Sequence, residues 1–282
     1  MERGRIPDTA FATAYAQVTD RKRAWIKTGL AAVYAALGGP LPILRQSGGT
    51  LGHDLAFSRI DIPLDFVLIL CGPDFSSPAR LMAAVVPALC ARVSDVAVVR
   101  IGSVWPKPLL TTLELCGVET VCRLGMRALP GLLAELPQKG RGALVMLDDI
   151  RLPACPHDAI RLFSARIAGR AGVFPIAHTA FDAEALAFAH PDMTFFVHGE
   201  ASDALSVFPS GQENLAEAAH LDYDAVYADA AHQEAALRAA PLVLGPGRET
   251  FWLWPHLSPE AFRHCRVTAS VDTRGLQVFP GR

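Results

Sequence analysis

Between Asp65 and Asp148 the chain alternates short apolar runs with amphipathic stretches, and few folds accept that rhythm. Phe66-Val67-Leu68-Ile69-Leu70-Cys71 is a continuous apolar run of strand length. Cys71-Gly72-Pro73-Asp74-Phe75-Ser76-Ser77-Pro78 turns from it into a helix, with serine hydroxyls placed to cap and proline in the first turn. Leu81, Met82, Val85, Val86 and Leu89 then recur at helical spacing as a buried stripe. Val96 to Ile101 reads as the second strand and Pro106 to Cys116 as the next helix, closed by Gly117. Val118 to Cys122 gives a third strand. Leu129, Leu132, Leu133 and Leu136 mark a third helix, and Ala143 to Leu147 a fourth strand. Parallel strands need long crossovers, usually helices. The stretch therefore predicts a parallel sheet covered by helices.

The flanks are read from the same signals. Met1 to Pro7 is expected to be a loose arm. Asp8 or Thr9 can cap a first helix, and Thr19 or Asp20 a second. Ile26, Leu30, Val33 and Leu37 form the second helix's stripe, and Gly38-Gly39-Pro40 ends it. These helices either cover the sheet, the expected arrangement, or form a partner interface such as a homodimer. Leu41 to Leu64 lacks a clear period and reads as a connection, with at most a short strand near Ser58-Arg59-Ile60. Further on, His157 to Arg170 reads as an amphipathic helix. Gly172 to Ile176 reads as a strand that Pro175 confines to an edge or makes irregular. Phe181 to Ala189 is a short helix, Thr194 to Val197 and Ala225 to Ala228 are strands, and His232 to Ala239 is another short helix. Leu242 to Leu244 leads into a glycine turn, Pro259 to His264 makes one helical turn, and Val267 to Val271 is a last strand.

Composition narrows the function classes. With 282 residues, 51% of them hydrophobic, the chain can bury a sizeable core. A formal net charge of -2 argues against a nucleic-acid surface. The basic cluster Arg21-Lys22-Arg23 with Lys27 reads as a solvated helix face. Six cysteines without a C-x-x-C pair exclude a zinc ribbon or a disulfide scaffold and fit a reducing cytoplasm. No apolar run is long enough for a membrane span.

In open parallel sheets, ligands bind beyond the carboxyl ends of strands. Those ends bring forward Gly72 and Asp74, Gly102 and Ser103, Gly125, Asp148-Asp149, His178, His198, Asp229 with His232, and Gly245 to Glu249. With two sheets, these residues are expected to form two rims facing across a cleft. The turn at Gly72 can present helix N–H groups to an anion, with Ser76 and Ser77 as hydroxyl donors, or it can be an ordinary capped turn. It lacks the dinucleotide glycine fingerprint and the P-loop pattern. His178, His198 and His232 with Asp229 are of the right types for zinc, but their wide spacing makes proton transfer or plain structural bonding the commoner outcome. Arg248 can grip a carboxylate or phosphate, and Trp252 and Trp254 can floor an apolar pocket or pack in the core. Asp148-Asp149 can bind a cation or act as a base, although solvation is commoner. Cys155 is the cysteine least like a core residue, and no G-x-S-x-G elbow is present.

Residues Ile62 to Leu136 resemble the central part of histidinol dehydrogenase, of the aldehyde-dehydrogenase-like superfamily. Ile62-Pro63-Leu64 precedes Val67-Leu68-Ile69-Leu70, followed by Gly72, Ser76-Ser77-Pro78 and the helix Leu81 to Leu89. Leu115-Cys116-Gly117-Val118-Glu119 then runs through Val121 and Cys122 to Leu124-Gly125. The resemblance implies two Rossmann-like α/β lobes with mostly parallel sheets covered by helices, preceded by an N-terminal helical segment. The implied division is residues 1–40, 41–153 and 154–282. It implies NAD or NADP as cofactor near Gly72, Ser76, Ser77, Gly125 and Arg127, and an oxidoreductase acting on a small alcohol or aldehyde; for such chemistry the histidines read above after strands, His198 or His232, are the expected proton-transfer residue. The chain also departs from the family. The Gly-Gly-Ala-Gln turn is reduced to Gly125-Met126-Arg127-Ala128, and the chain is shorter than usual. The zinc-binding Gln and His have no secure match, Glu217-Ala218-Ala219-His220 being the nearest string, and the Glu-His catalytic pair is not recognisable. Gly245-Pro246-Gly247 lies too late for the family's Gly-Pro-Gly turn. The alternative is a catalytically degenerate relative that binds a small molecule or a protein partner.

Overall fold

The computed structural model describes residues 4–42, 44–50, 55–152, 158–165, 167–175, 181–199, 203–211, 215 and 221–271. The apolar runs of the first half become a parallel sheet of β3 (Phe66–Cys71), β4 (Asp95–Ile101), β5 (Thr120–Leu124), β6 (Gly142–Met146) and β7 (Ile160–Ser164), in the order β5-β4-β3-β6-β7. Every residue of β3 is buried, as a central strand covered on both faces requires. Its alternate side chains serve different layers. Val67, Ile69 and Cys71 pack under α3 (Pro78–Cys90) and α4 (Lys107–Cys116), whereas Phe66, Leu68 and Leu70 meet α5 (Leu129–Glu135).

Helix α3 begins where the sequence places it. Ser77 accepts the Arg80 N–H and Pro78 occupies the first turn. All its residues except Leu89 are buried, so it is apolar all round rather than along one stripe. The cause is a helix pressed on its other side by α2 (Asp20–Ala36), which follows α1 (Asp8–Gln17). Ile26 and Val33 of α2 are buried, with Val33 against Val86 and Cys90 of α3, while α1 lies on α4. The N-terminal helices thus form an outer layer over the helices. The stripe read as core is core. The loose arm is corrected: Arg5 bridges Cys122, and the Ile6 N–H donates to the Val121 carbonyl at 2.8 Å, extending the β5 edge.

The second parallel sheet contains β8 (Arg170–Phe174), β9 (Thr194–His198), β10 (Ser210–Gly211), β11 (Ala225–Ala228) and β12 (Val243–Leu244), in the order β10-β9-β8-β11-β12. Helices α6 (Ala183–Ala189) and α7 (Gln233–Ala236) accompany it. The edge position expected of the strand at Gly172 is corrected: β8 is central, because Pro175 falls beyond its last ladder residue. The helix expected over His157 to Arg170 is corrected as well. Its described part holds β7, paired in parallel with β6, and the start of β8. Here the spacing of Ile160, Leu162 and Phe163 served a half-exposed edge strand.

A third sheet was not anticipated. β1 (Leu44–Thr50) and β2 (Leu55–Pro63) form an antiparallel pair, and β13 (Arg263–Val271) pairs with β2 on its other side. Most of the β2 and β13 side chains are at least partly exposed, so neither shows a clean buried face. The connection expected over Leu41 to Leu64 is therefore corrected to two strands held by ladder hydrogen bonds, the short strand expected near Ser58-Arg59-Ile60 lying within β2.

Candidate functional site

The first sheet's carboxyl rim does not face the second sheet's carboxyl rim. It faces the amino ends of β8 and β9, so the two sheets run head to tail. A cleft of about 380 Å³ lies there, lined by Asp74, Phe75, Arg80, Leu147, Asp148, Asp149, residues 165 and 167–169, and Asp192. The expected pair of rims across one cleft is corrected accordingly.

The turn after β3 is closed by protein groups. Gly72 is buried, and a Cβ there would collide with the Asp148 carboxylate. Asp192, just before β9, accepts the Ser76 N–H at 3.1 Å and pairs with the Arg80 guanidinium. Ser77 is fully buried: its hydroxyl donates to the Ala189 carbonyl at 2.6 Å, accepts the Arg80 N–H at 3.1 Å and lies 3.2 Å from His190 Nδ1. The place where α3 could receive an anion thus already holds one, the Asp192 carboxylate. Burial pulls the Arg80 guanidinium below its ordinary pKa, and Asp192 opposes the shift. Arg100 ties the turn from behind, donating to the Pro73 and Phe75 carbonyls at 2.7 Å each. Burial pushes the Cys71 thiol up to about 12, which leaves it protonated near neutral pH.

Four carboxylates and one guanidinium line this cleft. A dinucleotide pyrophosphate does not fit that lining: it would meet like charge at short range and find Ser76 N–H already taken. The open part of the expected cofactor region is elsewhere. Gly125 and Arg127 are exposed beyond β5, on a single 3-10 turn at Met126–Ala128. The structure therefore separates the expected cofactor residues into an enclosed group, Gly72, Ser76 and Ser77, and an exposed group, Gly125 and Arg127.

The histidines occupy the opposite rim of the second sheet, a strand's length of roughly 15–20 Å from the cleft. His198 is buried, stacked on Phe174 at 4.4 Å, with Nε2 2.8 Å from the Tyr223 hydroxyl. Its surroundings are those of a packed core histidine. His232 is exposed beyond β11, with Nδ1 2.6 Å from Asp229 Oδ1. His178, Cys155 and Glu217 to His220 lie outside the described residues. Among the described residues no group of three or more His, Cys, Asp or Glu is placed to hold a metal ion, and no helix is long and apolar enough to cross a membrane. Trp252 and Trp254 are buried and pack on each other and on His190 and His256, the Trp254 N–H donating to the Arg80 carbonyl at 3.1 Å. Burial, aided by Arg80, holds His190 well below its usual pKa.

Arg80, Asp192 and His190 were missed in the sequence. Arg80 did carry a signal, a lone charge inside an apolar helix, which demands a buried partner.

No family model matches the sequence, and no curated protein matches it. Solved structures do resemble it in fold. A histidinol dehydrogenase from Elizabethkingia anophelis superposes with a TM-score of 0.57 at 10% identity, covering 97% of this chain and 78% of that one. A succinate-semialdehyde dehydrogenase from Burkholderia pseudomallei gives 0.49 at 12% identity, covering 93% and 88%. An NAD-dependent benzaldehyde dehydrogenase from Corynebacterium glutamicum gives 0.47 at 11% identity, covering 96% and 88%. The likeness read in Ile62 to Leu136 thus extends, as a likeness of fold, over nearly the whole chain: this protein is built on a distant version of the histidinol dehydrogenase fold.

Proposed function

We propose that this chain is a catalytically degenerate, small-ligand-binding protein on a dehydrogenase-like scaffold. The observation that carries this reading is the seat of Asp192 on the Ser76 N–H and the Arg80 guanidinium, in a cleft lined by three further carboxylates. Folds and sites are separable, and a scaffold can persist after its cofactor contacts have gone. Calorimetric titration with NAD and NADP checks it. No saturable binding is expected up to millimolar cofactor. Binding of either dinucleotide in the micromolar range would sink the reading.

A second reading, a divergent NAD(P)-linked oxidoreductase acting on a small alcohol or aldehyde, draws support from the exposed turn at Gly125 and Arg127. In that reading Arg127 would hold a cofactor phosphate. The same titration separates the two, because this reading requires binding that Arg127→Ala abolishes.

A further inference from the structure

Helix α2 has two unlike faces. Ile26 and Val33 dock on the core, whereas Lys27, Thr28, Ala31, Ala32, Ala35 and Ala36 line a cavity of about 710 Å³. These positions recur at helical spacing, so their small side chains leave a trough about 12 Å long between Thr28 and Ala36. The opposite wall is Gln233, Val243, Leu244, Gly245, Arg248 and Phe251. It is made of the edge strand β12 itself, Gly245 just past its carboxyl end, and residues from α7 and the following turn. The volume is that of a small-molecule site.

The charges in this groove are of one sign. Lys27 and Arg248 are exposed, neither pairs with a carboxylate among the described residues, and no acidic residue lines the groove. By backbone position both cations lie toward the Thr28 end of the trough. A Cβ at Gly29 would collide with the Thr250 carbonyl, so the turn carrying Arg248 crosses α2 beside Lys27 and Thr28. The Gln233 amide nitrogen lies close over Gly245, 3.0 Å from where a Cβ would be, and adds a donor to that wall. The far end, at Ala35 and Ala36, is apolar.

We propose that this groove binds a small organic anion, a carboxylate or phosphate head on an apolar body. The proposal rests on the ligand-binding reading above and names its ligand class. Arg248 presents a planar fork that suits either head, Lys27 adds a point charge, and the alanine trough with Phe251 takes the body. The arrangement excludes cations and offers an uncharged apolar molecule only the weaker half of the site.

Calorimetric titration of the whole chain with octanoate, phenyl phosphate and octanol tests this. Octanoate or phenyl phosphate should bind saturably and octanol far more weakly, the anion that binds reporting the head group. Arg248→Ala should weaken the binding anion by about tenfold or more, the worth of a charge-assisted hydrogen bond. Ala35→Leu, a helix-favouring change on an exposed face, should fill the trough and weaken octanoate. Octanol binding as tightly as octanoate, no binding by either anion, or an Arg248→Ala variant unchanged toward both anions would overturn the proposal. The two readings fail separately: micromolar dinucleotide binding removes the reading of the cleft, whereas anions that fail to bind remove only the groove.

Discussion

Arg80 is 2% exposed in the middle of the molecule and would be unaffordable alone. Asp192, 112 residues later, provides the opposite charge, and together they join the start of α3 to the turn before β9. Breaking a buried pair from one side leaves an uncompensated charge, so Asp192→Ala should lower the unfolding free energy by about 3 kcal/mol. Denaturant melts of variant and parent measure this, and a loss below about 1 kcal/mol, the scale of exposed pairs, would contradict a compensated buried pair. Arg80 announces its need in the sequence, since an apolar helix otherwise has no use for a charge. Asp192 announces nothing: an aspartate after a proline, at His190-Pro191-Asp192, reads as an ordinary turn. Ser77 shows the complementary case. Its capping role follows from local chemistry and was legible, whereas its burial under Ala189 and His190 depends on which chain segment arrives above it.

Elements with at least one continuous buried face declare themselves, and elements without one do not. The stripe of α2 was readable because Ile26 and Val33 recur at helical spacing and both are excluded from water. Ile26→Ala should cost about 3 kcal/mol through lost burial and a residual cavity, with thermal or denaturant unfolding as the check. The other face of the same helix, Ala31 and Ala35, tolerates larger residues without that cost, which is why the trough variant above is informative. β1 was invisible for the opposite reason, and β2 showed only as the short strand expected near Ser58-Arg59-Ile60. Leu44-Arg45-Gln46-Ser47-Gly48-Gly49-Thr50 has no alternation to read, and its pairing depends on ladder hydrogen bonds to β2. β7 was misread because a four-residue pattern on an edge strand suits a helix equally well. Proline 175 misled in the position of β8, since its missing N–H matters only inside the ladder and it falls one residue beyond.

At the scale of the whole molecule, one apolar cluster runs from Val67 and Ile69 of the first sheet through α3 to Val173, Phe195 and Tyr227 of the second. Such a shared core couples the two sheets. Unfolding should therefore be a single transition in which tryptophan fluorescence and far-ultraviolet circular dichroism coincide; two separated transitions would show the lobes to be independent. The head-to-tail placement also decides where chemistry can sit. His198 and His232 follow strands as the sequence indicates, but the rim they occupy is turned away from the Asp148 cleft. The sequence by itself determined the stretch from Asp65 to Asp148, because continuous apolar runs, hydroxyl caps and glycine stops are local and each pays its own way in burial or hydrogen bonding. Only the tertiary structure decided that the Asp192 carboxylate would reach the turn after Gly72, and that Lys27 and Arg248 would line one groove. Those contacts join residues more than a hundred positions apart, and the energy that selects them, desolvation against charge pairing, exists only once the segments are packed together.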